Sequence, residues 1–359
     1  NHGDPAEVQA RGGEITDFPS WERVLKELSA QAEARADWAA AAGYLRMAEF
    51  FMAPDTPECH AAYDRAREIF YTHFTYLFAE QGGPIHREEV PYADGVLPCW
   101  RIVPADTSKG AILFHGGNDS LLEEFTDALL YLAQGGYTVL AFEGPGQGAA
   151  LRKSGLTFTP EWEKPVGAVL DHYGAEDVTI IGVSLGGELC MRAAAMEPRI
   201  RRVVSWSVLP SIYGALMADK PAEIRAKLEH WLDENNRDAI LDLYAGLAER
   251  EPLFRWSIQH SNYAYGTSDV YEYLQKARAF TIEPVAERIT QDVLLLSARE
   301  DLLVDFALYK QEIDLLKNTR SLEFAAPGRA LNGQAHCNMG NTKYMLDLIL
   351  NWNDRMLER

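Results

Sequence analysis

Hydrophobic positions change rhythm along this chain. From about Trp21 to Glu80 they recur at helical spacing: Leu25, Leu28, Ala32 and Ala36 form one stripe, and Ala62, Ala66, Ile69 and Phe70 another. Pro54 and Pro57 interrupt this block, because proline lacks the amide a helix interior needs, so at least two helical parts are expected. At Gly82-Gly83-Pro84 the texture changes. Residues 86–91 and 97–104 predict two short strands, with Asp94-Gly95 supplying turn chemistry between them. From Gly110 a third rhythm begins. Continuous apolar runs at 111–114, 137–142, 178–183, 202–206 and 293–297 alternate with helical patterns at 121–134 and 185–196. Runs of that kind are strands buried on both faces, so the pattern predicts a mostly parallel sheet covered by helices. Between Trp206 and Val293 the alternation stops, and aromatic-rich helical sequence (Trp231, Tyr244, Phe254, Trp256, Tyr263, Tyr265) fills the gap. The expected organisation is a helical N-terminal domain (1–83), an α/β core (84–209 and 289–359) and a helical cap insertion (210–288). The cap, with part of the N-terminal block, would roof a pocket at the C-terminal edge of the sheet, where such folds place their sites.

Composition narrows the function. A formal net charge of −19, from 34 basic and 53 acidic side chains, repels phosphate backbones and argues against nucleic acid as a partner. No run reaches the roughly 20 apolar residues of a membrane helix. The N-terminus lacks an apolar signal core, although the chain opens on Asn1 instead of Met, which leaves room for a leader ahead of it. The four cysteines (Cys59, Cys99, Cys190, Cys337) are scattered, which fits neither a zinc site nor a disulfide scaffold and suits a reducing cytoplasm.

The chemistry concentrates at the ends of the apolar runs. Gly182-Val183-Ser184-Leu185-Gly186, followed by Gly187, lies directly after one buried run and directly before a helix. That strand–turn–helix setting is what a nucleophile elbow requires, and it makes Ser184 the candidate nucleophile. A serine needs a base and the base an orienting acid, in the chain order serine, acid, histidine. Asp301 stands on the loop after the 293–297 run, with Glu300 and Asp305 as nearby competitors. Of the nine histidines, His336 alone lies beyond position 260, on a small-residue loop after the strand-like 321–325. Two backbone donors should hold the oxyanion. One is the amide of Leu185; the other comes from the loop His115-Gly116-Gly117-Asn118-Asp119, through Gly117 or Asn118. His115, Gly116 and Glu143 are pocket candidates, His115 shaping the site at a strand end. Ser120-Leu121-Leu122-Glu123 fits a helix capping box. Gly144-Pro145-Gly146-Gln147-Gly148 looks superficially like a dinucleotide loop, but Ala149 replaces the final glycine and no apolar helix is expected at once, so it reads as a turn bordering the site. Cys337 is expected to be a small packing residue.

With these motifs the chain resembles a branch of the α/β-hydrolase superfamily that includes 2,6-dihydroxypseudooxynicotine hydrolase, fungal enzymes that shorten polyketide pigment precursors, and the fermentation-respiration-switch-like proteins. The resemblance rests on Gly116-Gly117-Asn118-Asp119-Ser120 with Glu124, on residues 143–148, on residues 182–186 and on Ala335-His336-Cys337, and it runs from about Pro84 to the end. It implies an α/β-hydrolase fold with a helical N-terminal domain cooperating with a cap, no cofactor or metal, often a homodimer, and in several members hydrolysis of a carbon–carbon bond beside a ketone. The expected activity is cleavage of a C–C or ester bond in an aromatic or polyketide-like small molecule. A non-hydrolytic cyclase or lyase on the same fold, and a ligand-binding protein on a hydrolase scaffold, are the alternatives.

Overall fold

The computed structural model describes residues 2–359. The chain divides into two compact units, one comprising the segment up to Gly83 with Arg237–Val270, the other Pro84–Asn236 with Tyr271–Arg359.

In the first unit three long helices, Phe18–Ala34, Trp38–Phe50 and Pro57–His73, bury their alanine- and leucine-rich stripes against one another. Asp17, Asp37 and Thr56 cap their N-termini through side-chain oxygens, which satisfies amides that have no intrahelical partner. Ala36 does not extend the first stripe as its spacing suggested. The helix ends at Ala34, and Ala36 takes a left-handed φ of 59° in the exposed turn that follows. The single 210–288 cap expected from the pattern is also divided. The helices Arg237–Arg250 and Pro252–Tyr265 belong to this first unit, where the Trp256 ring packs 5.3 Å from Phe50 and 5.1 Å from Phe51. A periodic stripe announces that a face must be buried without naming what buries it.

The second unit is built on an eight-stranded sheet in the order β1-β2-β4-β3-β5-β6-β7-β8. The strands are β1 Ile85–Tyr92, β2 Gly95–Ile102, β3 Ala111–His115, β4 Thr138–Phe142, β5 Val178–Val183, β6 Ile200–Trp206, β7 Asp292–Leu296 and β8 Ser321–Ala325. β1 and β2 form an antiparallel hairpin, β2 pairs antiparallel with β4, and every later pairing is parallel. In the hairpin Gly95 pairs with Tyr92, so the two turn residues are Ala93 and Asp94, one position earlier than the sequence suggests. β5 and β7 are buried throughout, as continuous apolar runs require. Helices pack on the sheet: Thr126–Gln134 on β2 and β4, Gly186–Met196 on β5 and β6, and Thr342–Leu357 on β6 and β7. The 207–291 insertion leaves and returns through a paired neck, where Ile212 N–H donates to Phe280 O and Ile282 N–H to Pro210 O, each at 3.0 Å.

Topology places the site. The chain runs from β3 outward to β4 and then back past β3 to β5, so the β3/β5 boundary is the switch point at which the flanking loops diverge and leave a crevice. His115 is level with Gly182 across that boundary. Val183, Trp206, Leu296 and Ala325 stand in one row along the same edge, each the last residue of its strand.

Two buried carboxyls in this unit, Glu188 and Glu312, face no cation at ion-pair distance among the described residues. Burial pushes both up to about 8, against the pull of the Arg192 guanidinium on Glu188 and a Leu209 amide on Glu312. A raised acid stays protonated in the folded state while the unfolded chain ionises from 4.5 upward, so stability falls as pH rises from about 4.5 to about 8. Glu312→Gln should therefore unfold a few degrees above the parent protein at pH 8 and together with it at pH 4, as thermal melts at both values would record. A difference that does not depend on pH would contradict this.

Candidate active site

Ser184 occupies the turn between β5 and the helix Gly186–Met196 with φ of 60°, left-handed for a side chain that pays steric strain there. The turn holds because its neighbours are small: a Cβ at Gly182 would overlap the Gly186 carbonyl, and one at Gly187 the Ser207 carbonyl. Ser184 N–H donates to the Trp206 carbonyl at 2.8 Å, which ties the turn to the end of β6. The hydroxyl therefore projects from the sheet edge beside the first amides of a helix.

The structure brings Ser184, His336 and Asp301 together. Ser184 Oγ lies 2.9 Å from His336 Nε2, and His336 Nδ1 lies 2.7 Å from Asp301 Oδ2. The Asp301 side chain is 2% exposed and the imidazole 24%. Leu303 and Val304 amides donate to Asp301 Oδ1 at 2.8 and 3.1 Å, leaving Oδ2 for the histidine. Burial pulls the Asp301 pKa up, but the imidazole and these amides outweigh it and hold the carboxyl below its ordinary value. Burial also pulls the imidazole down; the hydrogen bond to the Asp301 carboxylate, together with Cys337, wins and raises it. The competing acids are engaged elsewhere. Glu300 pairs with Arg329 at 2.5 Å, and Asp305 accepts from Ala307 N–H at 2.8 Å on an exposed turn.

The loop after β3 lies against the serine. A Cβ on Gly117 would stand 2.7 Å from Ser184 Cβ and 2.9 Å from Leu185 N, so only glycine lets the backbone approach this closely. The two donor candidates on this loop are not equivalent. Gly117 N–H donates to Ser120 Oγ at 3.0 Å, whereas the Asn118 and Leu185 N–H groups make no hydrogen bond within the described residues. Ser120 is thereby not the cap its spacing suggests: the helical turn Leu122–Phe125 starts one residue later, and its box is closed by Glu124, which accepts from Leu121 N–H at 3.0 Å. The hydroxyl of Ser120 reaches back to the loop instead.

Buried polar groups hold this loop from below. Gln147 Nε2 donates to the Gly116 and Gly117 carbonyls at 2.8 and 3.0 Å, and its Oε1 accepts from Gly144 N–H. Glu143 accepts from Leu122 N–H at 3.0 Å and Ala149 N–H at 2.7 Å. The turn at 144–148 is thus a brace for the β3 loop. A short buried helix, Gly148–Arg152, does follow it directly, contrary to the sequence expectation, yet the turn's hydrogen bonds point to the neighbouring loop. His115 is fully buried, and Trp162 Nε1 donates to its Nε2 at 3.3 Å. An indole nitrogen can only donate, so the imidazole proton sits on Nδ1 and donates to the Gly116 carbonyl at 3.0 Å. Burial pushes the His115 pKa down to about 4, which keeps the ring neutral. His115 therefore shapes the loop. Sequence reading gave Gln147 and Trp162 no role; Gln147 could have been singled out as the one polar side chain able to reach sideways within a run of glycine and proline.

A family model described as alpha/beta hydrolase fold matches residues 112–332, more than half of the chain. The chain belongs to the α/β-hydrolase family. As an α/β-hydrolase it is an enzyme of the hydrolase type. Ser184 and Asp301 fall within the matched span and His336 just beyond it. The chain is 30% identical to the alpha/beta hydrolase psoB of Aspergillus fumigatus, over 74% of this chain and 67% of that one. It is 29% identical to the hydrolase LUC6 of a Fusarium species, over 74% of this chain and 70% of that one. Among solved structures, 2,6-dihydroxy-pseudo-oxynicotine hydrolase shares the fold with a TM-score of 0.68 at 18% identity, covering 99% of this chain and 93% of its own. No helix among the described residues of this α/β-hydrolase is long and apolar enough to cross a membrane, and no group of three or more His, Cys, Asp or Glu among them is placed to hold a metal ion.

Because the Gly117 Cα faces Ser184, Gly117→Ala should displace the loop and slow labelling of Ser184 by a fluorophosphonate about 10²-fold, the scale on which losing one oxyanion donor is felt. Intact-mass time courses would measure it, and labelling at the parent rate would show that the loop does not serve the reacting centre.

Proposed function

We propose that this protein is a serine hydrolase in which Ser184 attacks a carbonyl carbon, His336 moves the proton and Asp301 orients the imidazole. The observation that carries the reading is the continuous pair of hydrogen bonds from Ser184 Oγ through His336 to Asp301. In the first step the Oγ–C bond forms while the serine proton passes to His336 Nε2, and the carbonyl oxygen becomes an oxyanion. The Leu185 and Asn118 N–H groups, unengaged beside the serine, are the donors we assign to it. Collapse of that intermediate expels the leaving group, which takes the proton from Nε2: an alkoxide in an ester, an enolate carbon in a ketone-activated C–C bond. Water then gives its proton to His336 and attacks the acyl-enzyme, which releases a carboxylic acid and restores Ser184. One set of groups serves both substrates because only the leaving atom differs.

The substrate class follows from the branch that the four motifs resemble, and fungal relatives named as hydrolases are in keeping with it. We assign an aromatic or polyketide-like ketone or ester, cleaved by water. Ser184→Ala should keep the fold and lose at least about 10³-fold in kcat. Turnover of an aryl diketone or aryl ester in oxygen-18 water, followed by mass spectrometry, should place one heavy oxygen in the acid product. An isomerised product without heavy oxygen would instead establish the cyclase or lyase reading.

A further inference from the structure

The loop that carries His336 is held in a conformation its backbone does not favour. Immediately after His336, Cys337 and Asn338 both take left-handed backbone angles, φ of 51° and 54°. Two such residues in succession, neither of them glycine, persist only where the surroundings over-determine them. Here the surroundings are a single side chain and the groups it meets. Asn338 is 1% exposed. Its Nδ2 donates to the Ser297 carbonyl at 3.1 Å and to the Gly333 carbonyl at 2.6 Å. Its Oδ1 accepts from Trp206 Nε1 at 3.2 Å, and the same indole N–H reaches the Cys337 carbonyl at 3.0 Å. The assignment of oxygen and nitrogen is forced, since an indole N–H can only donate and two carbonyls can only accept.

Besides Gly333 on its own loop, this amide meets the end of β6, whose last residue holds the serine turn, and the residue after β7, the strand that leads to Asp301. Trp206 closes β6, and its carbonyl accepts the Ser184 N–H at 2.8 Å, so one residue grips the serine turn with its backbone and the histidine loop with its ring. Ser297 directly follows β7, four positions ahead of Asp301, and its own N–H is fixed on the Ala325 carbonyl at the end of β8. We infer that Asn338 and Trp206 are positioning residues for His336, a buried brace that locks the histidine loop to the end of β6, which holds the Ser184 turn, and to the end of β7, which leads to Asp301. The inference rests on the triad reading above. Neither residue touches the reacting atoms; both act through the placing of the imidazole, where a shift of about 1 Å is enough to cost turnover.

The test uses two variants that remove the hydrogen bonds while keeping the backbone preference at each position. Asn338→Gly keeps a residue at ease with positive φ and deletes the amide. Trp206→Phe keeps an aromatic ring and deletes the N–H along with part of the indole. The readout is the rate at which a fluorophosphonate labels Ser184 in the full-length protein, normalised to folded protein and followed from pH 5 to pH 10. Each variant should label at least about 10-fold more slowly at its best pH. The rising limb should also move to lower pH, because an imidazole that drifts from the Asp301 carboxylate loses the interaction that raises its pKa and becomes neutral sooner. Variants with lower melting temperatures but an unmoved rate and pH limb would overturn the inference and reduce Asn338 to loop packing. Parent protein that fails to label at Ser184 would sink the triad reading itself, and this inference with it.

Discussion

A serine held in a left-handed turn is the constraint on which the rest of this site depends. The conformation costs a residue with a side chain on the order of 1–3 kcal/mol, and the chain accepts it because β5 is buried on both faces and cannot yield. From that fixed point the other requirements follow. Glycines must surround the turn, the β3 loop must come close without side chains of its own, and the Trp206 carbonyl must meet the serine amide. The strand ends stand level along one edge, so the loops after β3, β5, β7 and β8 converge on a common point.

Convergence alone would leave those loops too loose for chemistry. What stiffens them is a set of buried polar groups, each spent on backbone: Glu143 and Gln147 beneath the β3 loop, His115 fixed by Trp162, Asp301 by two amides, Asn338 by two carbonyls and an indole. Unpaired, such groups would each cost on the order of 1–3 kcal/mol, so the network is stable only when all of its members are in place. The two buried carboxyls with no cation beside them among the described residues, Glu188 and Glu312, behave differently: burial keeps them protonated up to about pH 8.

The sheet and the grouping of Ser184, Asp301 and His336 were legible in the sequence for the same reason: buried parallel strands are continuous apolar runs, and these three residues lie on the loops at their ends. Order along the chain then singled out His336. Other features depended on groups brought together from afar. Asp301 differs from Glu300 and Asp305 only in being buried against an imidazole, which spacing does not express. Asn118 is distinguished from Gly117 by the Ser120 hydroxyl, whose position three residues before Glu123 read as a capping box, whereas the turn starts one residue later and is closed by Glu124. Ala36 kept the helical period past the end of its helix, and the 210–288 stripe did not say which partner would bury it. Asn338 carried one local signal, an asparagine able to adopt positive φ just after the candidate base, but its two strand-end partners, Trp206 and Ser297, are remote in sequence.

The central claim is that Ser184 reacts inside a hole formed by the Leu185 and Asn118 amides. A crystal structure of the fluorophosphonate adduct tests it most directly. The account predicts phosphorus bonded to Ser184 Oγ, with the phosphoryl oxygen about 2.7–3.1 Å from both amides and Gly117 N–H still on Ser120. A phosphoryl oxygen turned away from Leu185 and Asn118, or an adduct on another residue, would contradict it.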